Sequence, residues 1–115
     1  MKITTLATLA VLAAGCTGAF AASHANLTAN NGMTLYTFDK DTAGVSVCYD
    51  DCAVNWPPYM AESGADMPGL TSIERKDGSK QWAKDGKPLY FWVGDTEPGE
   101  TNGDGVGGVW HVARP

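Results

Sequence analysis

Basic side chains are scarce in this sequence. Eight Lys and Arg residues stand against thirteen Asp and Glu residues, so the formal net charge at pH 7 is −5. Nucleic-acid binding needs a basic face that neutralises phosphates, and docking on anionic lipid needs clustered Lys and Arg. The charge balance therefore excludes nucleic acid as a partner and disfavours an anionic membrane surface.

Long apolar runs are also missing. The longest run, residues 3–14, contains only apolar residues and Thr and follows Lys2, whereas a transmembrane helix needs about 20 apolar residues. A short apolar run behind one positive charge is typical of a secretory signal peptide, and Ala19-Phe20-Ala21 fits its cleavage site. We therefore expect residues 1–21 to be a signal peptide, with cleavage after Ala25 as the alternative.

Cysteine is rare, with three residues in the whole chain. Cys16 follows Leu12-Ala13-Ala14-Gly15, which is similar to a lipoprotein signal but places the Leu one residue closer to the Cys than usual. A lipid anchor at Cys16 is thus the rival to ordinary cleavage. Either way Cys48 and Cys52 remain as a pair, and in an oxidising compartment such a pair predicts a disulfide. Their spacing matches neither a C-x-x-C redox motif nor a haem attachment site.

One stretch of the chain occurs twice, at an offset of 54 residues. The residues concerned are 31–42, which return as 85–96, together with Ala29 and Trp56, which recur as Ala83 and Trp110. The offset is constant throughout, so the chain after the signal peptide is predicted to consist of two copies of one unit.

Each copy contains a hairpin signal. Asn31-Gly32 and Asp85-Gly86 lie between short apolar-containing runs, and such dipeptides favour type I′ turns, which need positive φ at both central residues. We predict a mostly β, small single domain at 26–115. It consists of two hairpin-based pseudo-repeats at about 26–60 and 80–115.

The strand after each turn has two faces. Side chains alternate along a strand, so Tyr36 and Phe38 share one face in the first copy, as Tyr90 and Trp92 do in the second. Residues 89–93 are apolar on both faces. This segment is therefore predicted to lie centrally in the sheet.

The 13-residue connection after each strand differs between the copies. In the first, Ser46 is a candidate N-cap for a helix over 47–54, which the run Trp56-Pro57-Pro58 must end. We expect one short helix stapled by the Cys48–Cys52 disulfide. The second connection, 96–108, contains five Gly residues and no helical period, so it is predicted to be a loop. Further strands are expected at 70–75 and 109–113.

The two copies share the motif Tyr-x-aromatic-x-x-Asp. It stands as Tyr36-Thr37-Phe38-Asp39-Lys40-Asp41 and as Tyr90-Phe91-Trp92-Val93-Gly94-Asp95. Together with the Cys-x-x-x-Cys-Ala-x-x-Trp-Pro-Pro run of 48–58, it resembles a family of bacterial secreted proteins and lipoproteins described as a secreted repeat of unknown function. The resemblance covers about 27–112. It implies an extracytoplasmic location and a two-repeat domain, and it implies no activity.

The motif side chains allow two interpretations. In the first, Tyr and Asp line two pseudo-equivalent pockets for a cation or a small polar ligand. In the second, the aromatic rings fill the core and the Asp residues cap turns, which an Asp-Thr pair directly after a strand favours. The residues concerned are Tyr36, Phe38, Asp41, Tyr90, Trp92 and Asp95.

Two features are candidate divalent-metal sites. If the signal peptide is cleaved after Ala21, the new amine, two amide nitrogens and the His24 imidazole can form a square-planar site suited to Cu(II) or Ni(II). Cleavage after Ala25 removes that site. The acidic residues of 95–104 are candidates for Ca²⁺, although their spacing does not match an EF-hand.

Other short motifs give weaker evidence of function. Gly103-x-Gly105-x-x-Gly108 has the spacing of a dinucleotide fingerprint, but that fingerprint needs a strand before it and a helix after it. His111 stands alone on the last predicted strand. No Ser–His–Asp order, HExxH motif or paired-carboxylate scaffold is present.

We therefore expect no enzyme. The predicted function is that of an exported, non-catalytic protein of the periplasm or cell surface, a binding or structural module whose partner is an envelope protein or a small ligand. The alternative is a metal-handling protein of the periplasm.

Overall fold

A computed structural model describes residues 26–62 and 67–115. The predicted signal peptide, Cys16 and His24 lie outside the described residues. The elements in chain order are β1 (Tyr36–Phe38), α1 (Asp51–Asn55), β2 (Thr71–Glu74), β3 (Lys80–Lys84), β4 (Lys87–Pro88), a one-turn 3₁₀ helix (Val106–Gly108) and β5 (Trp110–Val112). The mostly β domain with one short helix that the sequence predicts is confirmed.

The strands form two antiparallel sheets. β1 pairs with β5, so that Tyr36 lies opposite Val112 and Phe38 opposite Trp110. The second sheet has the order β2-β3-β4. The strands expected at 70–75 and 109–113 are thus present as β2 and β5, shortened at their ends.

The two sheets meet at one pair of residues, Tyr36 and Tyr90. The backbone N–H of each donates to the carbonyl oxygen of the other, at 2.8 and 3.0 Å. On its other side, the segment 89–93 exchanges backbone hydrogen bonds with residues 57–59, at 2.7 and 2.9 Å. The segment thus has backbone partners on both sides, as a central position requires, but the strand itself ends at Pro88 and β4 lies at the edge of its sheet.

The two hairpin turns differ. Asp85 and Gly86 both have positive φ, 52° and 82°, as a type I′ turn requires. In the first copy only Gly32 is left-handed, at 84°, so the type I′ prediction for Asn31-Gly32 is wrong. The Asn31 side chain accepts the N–H of Met33 at 3.0 Å. This local hydrogen bond favours a three-residue turn that ends in a left-handed Gly.

The helix of the first connection is shorter than predicted. It spans Asp51–Asn55 rather than 47–54, and Ser46 does not cap it. Ser46 is buried, and its hydroxyl lies 2.5 Å from the hydroxyl of Tyr90. The tertiary contact therefore removes the capping side chain, and the helix begins after Asp50, whose φ is 56°.

The predicted disulfide between Cys48 and Cys52 is present, with a Cα–Cα distance of 5.2 Å. It joins the extended segment before α1 to the first turn of the helix. The 3₁₀ helix near residue 107 lies 54 residues beyond α1, in a connection that was predicted to be a loop throughout. The two connections thus share a helical turn, and only the first has the covalent staple.

The apolar side chains form two clusters, on opposite faces of the motif strands. Leu35 and Leu89, both fully buried, belong to one cluster, and Tyr36 and Tyr90 to the other. The alternation of faces that the sequence predicts is therefore observed. Full burial of one Leu side chain contributes about 1.5–3 kcal/mol, so both faces of these strands stabilise the domain.

Removal of the disulfide should destabilise the domain modestly. The loop it closes has about five residues, for which chain-entropy arguments give about 2 kcal/mol. We expect the double variant Cys48→Ala/Cys52→Ala to lose this amount of unfolding free energy in urea denaturation. Wild-type protein kept in reductant is the matched control. An unchanged urea midpoint in both samples would contradict the prediction.

Candidate functional site

The tyrosines and aspartates of the repeated motif are paired across the two copies. The Tyr36 hydroxyl donates to Asp95 Oδ2 at 2.6 Å, and the Tyr90 hydroxyl donates to Asp41 Oδ2 at 2.7 Å. Each repeat thus supplies the tyrosine for the carboxylate of the other. Nothing in the sequence pattern indicated this crossing, because the motif repeats identically in both copies.

The second oxygen of each carboxylate holds the connection that follows it. Asp41 Oδ1 accepts the N–H of Val47 at 2.8 Å, and Asp95 Oδ1 accepts the N–H of Asn102 at 2.9 Å. Charged acceptors make hydrogen bonds about twice as strong as neutral ones. The Asp residues therefore cap backbone, as one of the two interpretations held, but they cap residues six and seven positions away rather than a local turn.

Four aromatic rings form a continuous stack between the repeats. The neighbouring centroids lie 4.1 Å apart for Phe38 and Trp110, 3.8 Å for Trp110 and Trp56, and 4.3 Å for Trp56 and Trp92. Trp110 and Trp56 are nearly parallel, with an interplanar angle of 2°. Aromatic pairs contribute about 0.5–1.5 kcal/mol each beyond their burial. Because neighbours come from different repeats, the stack holds the copies together.

The two tyrosine hydroxyls have different second partners. Tyr36 accepts the N–H of Gly103 at 3.2 Å, whereas Tyr90 contacts the Ser46 hydroxyl at 2.5 Å. A Cβ at Gly103 would lie 2.8 Å from the Trp56 ring. The glycine-rich motif therefore permits close packing on an aromatic ring, and no helix suited to phosphate binding follows it.

A buried arginine extends the hydrogen-bond network around the Tyr90 hydroxyl. Arg75 is only 6% exposed, and its guanidinium donates to Ser46 Oγ at 3.1 Å, Gln81 Oε1 at 2.7 Å and the Cys48 carbonyl at 2.7 Å. It also lies 4.2 Å from the Tyr49 ring centroid. Sequence reasoning missed this residue, since an Arg at the end of an exposed strand carries no signal of burial.

The tyrosines remain protonated over the physiological range. Burial, followed by the hydrogen bond to Asp95, raises the pKa of Tyr36. Burial also raises the pKa of Tyr90, against the lowering effect of Ser46. Both hydroxyls therefore act as donors to carboxylates and do not supply a base or a nucleophile.

Two acidic side chains of the second connection accept backbone N–H groups, Glu100 within the loop and Asp104 from β5. Glu100 Oε1 accepts the N–H of Thr96 at 2.6 Å and of Glu97 at 3.1 Å, and Asp104 Oδ1 accepts the N–H of Val112 at 3.1 Å. Within residues 26–62 and 67–115, no three His, Cys, Asp or Glu side chains group as metal ligands. Metal binding by this loop stays a prediction.

His111 has a partner that the sequence did not indicate. Its Nε2 lies 2.8 Å from Asp39 Oδ2. The two residues come from β5 and from the position after β1, and both side chains are about half exposed, at 46% and 53%. The pair thus lies at the surface, away from the buried tyrosines.

Comparison with known proteins places the repeats in a family. A family model described as a secreted repeat of unknown function matches residues 25–60 and 71–114. No curated protein and no solved structure matches the chain. In the part of the chain that the structure describes, no helix has the length and apolarity needed to cross a membrane.

Loss of either tyrosine hydroxyl should destabilise the fold. We expect Tyr36→Phe and Tyr90→Phe each to cost about 1.5–3 kcal/mol of unfolding free energy, because a hydrogen bond to a charged group is lost in a buried site. Tyr59→Phe is the matched control, since its hydroxyl only accepts the Asn30 N–H at 3.3 Å. Its cost should be about 0.5–1 kcal/mol. Equal costs in all three variants would contradict the prediction.

Asp41 should titrate above the ordinary Asp range. Burial raises its pKa, against the lowering effects of the Val47 N–H, the Tyr90 hydroxyl and Arg75. The folded chain therefore binds this proton more tightly than the unfolded chain. The resulting stabilisation is complete below about pH 3.9, the ordinary Asp pKa, and is lost as the pH rises through the raised value.

Carboxyl ¹³C NMR measures this titration directly. Asp41→Asn serves to assign the signal and should lack the corresponding change of stability with pH. An Asp41 midpoint at or below the ordinary value would refute the expected direction.

Proposed function

The chain belongs to the family of secreted repeats of unknown function, and on that premise we propose that it is an exported, non-catalytic module of the cell envelope that acts by binding. The observation that carries this proposal is the internal use of the motif. Tyr36 and Tyr90 are fully buried, Asp95 is 8% exposed, and each hydroxyl and carboxylate has its partner within the protein.

A catalytic set needs a nucleophile or base that faces a substrate. The motif groups instead hold two repeats and two connections in place, which supports a role as scaffold. The surface that the scaffold presents is then the part of the molecule available for partners. An envelope protein and a small ligand are the two classes of partner that fit an exported module.

The location rests on three observations. The family is described as secreted, the first 21 residues have the pattern of a signal peptide, and the Cys48–Cys52 disulfide suits an oxidising compartment. We place the protein in the periplasm or at the cell surface. A lipid on Cys16 would hold it at the membrane, whereas cleavage after Ala21 would release it.

Native mass spectrometry of the protein recovered from its own cell envelope tests the proposal. We expect the protein in the extracytoplasmic fraction, with a mass that begins at Ala22, two hydrogens lighter for the disulfide, and with a stoichiometric non-covalent ligand or partner. A variant that lacks residues 2–21 is the matched control and should stay in the cytoplasm. A mass that begins at Asn26 would show cleavage after Ala25 instead of Ala21. A lipid on Cys16 would show lipoprotein processing instead.

Two results would overturn the proposed function. One is retention of the full-length protein in the cytoplasm. The other is a turnover that a single exposed polar substitution, such as His111→Ala, abolishes without loss of folding, because that would make the protein an enzyme.

A further inference from the structure

A polar trough runs along the surface beside β1. Two cavities of about 260 and 280 Å³ share Thr37, Asp39, Asp85 and Lys87 as lining residues. Because they share these four residues, the two cavities adjoin, and together they are called the trough. Each volume lies just below the usual range of small-ligand pockets, about 300–1,000 Å³. None of the four shared residues belongs to the buried tyrosine–aspartate pairs, whereas Asp41, which lines the first cavity, is the partner of Tyr90.

The trough opens where the backbone ladder between the two sheets stops. The bridge between Tyr36 and Tyr90 sets a register in which Phe38 lies opposite Pro88. Proline has no N–H and cannot continue the ladder, and β1 and β4 indeed belong to separate sheets. Phe38 and Pro88 both line the first cavity, which occupies the gap between the diverging strands.

The gap leaves backbone groups directed toward the cavity. Backbone N–H and C=O groups of alternate strand residues point to the same side. The N–H of Phe38 therefore points the same way as that of Tyr36, and the C=O of Pro88 the same way as that of Tyr90. From this alternation we infer that one main-chain donor and one acceptor lie on the side of the first cavity.

The connection after each motif strand covers the turn glycine of the other copy. Gly44 of the first repeat corresponds to Pro98 at the 54-residue offset. Pro98 lies over Gly32, 3.2 Å from where a Cβ would stand, and at Gly86, the equivalent of Gly32, a Cβ would lie 3.5 Å from Ala43 Cβ and 3.7 Å from the Gly44 nitrogen. Ala43, beside Gly44, lines the first cavity. Both turn glycines are therefore covered, Gly32 by Pro98 and Gly86 by the smaller residues Ala43 and Gly44.

Charge is distributed unevenly along the trough. Asp41 borders only the first cavity, whereas Lys84 and Arg114 border only the second. The shared residues Asp39 and Asp85 are exposed. At the surface, Asp39 hydrogen-bonds His111 at 2.8 Å and Asp85 forms an ion pair with Lys84 at 3.5 Å. Exposed pairs contribute about 0–1 kcal/mol, so a ligand can replace them at low cost. One end is acidic and the other basic.

We propose that this trough binds a short peptide with free termini, its ammonium group at the Asp41 end and its carboxylate at the Lys84 end. The uneven charge matches a zwitterion, and the backbone donor and acceptor at Phe38 and Pro88 match a peptide bond. The proposal rests on the binding function proposed above and names its site and its class of ligand.

An NMR titration with trialanine tests the site. We expect saturable ¹H–¹⁵N shifts at Thr37, Phe38 and Lys87 in the folded, disulfide-bonded domain. Trialanine that is acetylated at its amine and amidated at its carboxyl should bind with an affinity at least roughly tenfold lower, because it loses both charge-assisted contacts. Equal affinity for the two peptides, or no saturable shift with trialanine, would overturn the proposal.

Two variants localise the binding. Ala43→Trp fills the first cavity from an exposed position and should abolish the shifts, and Lys84→Gln should weaken binding roughly tenfold. Lys76→Gln, at the turn between β2 and β3, is the matched control and should bind as the wild type does. Unchanged affinity in both trough variants, each folded by its spectrum, would refute the site.

The NMR and mass-spectrometry results together test the trough site and the proposed binding function separately. If the exported protein carries a ligand in the native mass spectrum but that ligand shifts only amides outside the trough, the trough site is refuted and the binding function stands. If saturable trialanine shifts appear in the trough, with the expected loss in Ala43→Trp, both are supported.

Discussion

The structure depends on the junction at Tyr36 and Tyr90. Two backbone hydrogen bonds join the sheets there, and each hydroxyl reaches the carboxylate of the opposite repeat. Buried polar groups are costly when unpaired, so the surroundings must exclude water and still satisfy every donor. The aromatic stack around Trp56 and Trp110 does the first, and the capped connections do the second. Two short sheets, neither of which has a large core of its own, are thereby held as one domain.

The two ends of this junction have become different. At Tyr36 a loop glycine supplies the second hydrogen bond, whereas at Tyr90 the partners are Ser46 and, behind it, the buried Arg75. At the surface, residues of both repeats line a cavity beside Asp41. A duplicated scaffold with one altered end can keep its fold through the shared contacts while both repeats contribute residues to one surface cavity.

The errors of sequence reasoning have a common cause. Ser46 has the residue type of a helix cap, and Asn31-Gly32 has the composition of a type I′ turn, yet each adopts another role. The Ser46 hydroxyl contacts that of Tyr90, 44 positions along the chain, and the Asn31 side chain accepts the N–H of Met33, two positions along. Local propensities are small, and a buried contact or a local side-chain hydrogen bond outweighs them.

The sequence by itself determined the duplication, the mostly β class, the alternating faces of the motif strands and the disulfide, because periodicity, turn residues and cysteine count are local properties. Only the tertiary structure decided that Tyr36 pairs with Asp95 rather than with Asp41, that Arg75 is buried, and that a trough opens opposite Pro88. These features depend on which distant groups meet, 59 positions apart for Tyr36 and Asp95. Two identical motifs carry no local signal that tells a pairing within a repeat from a pairing between repeats.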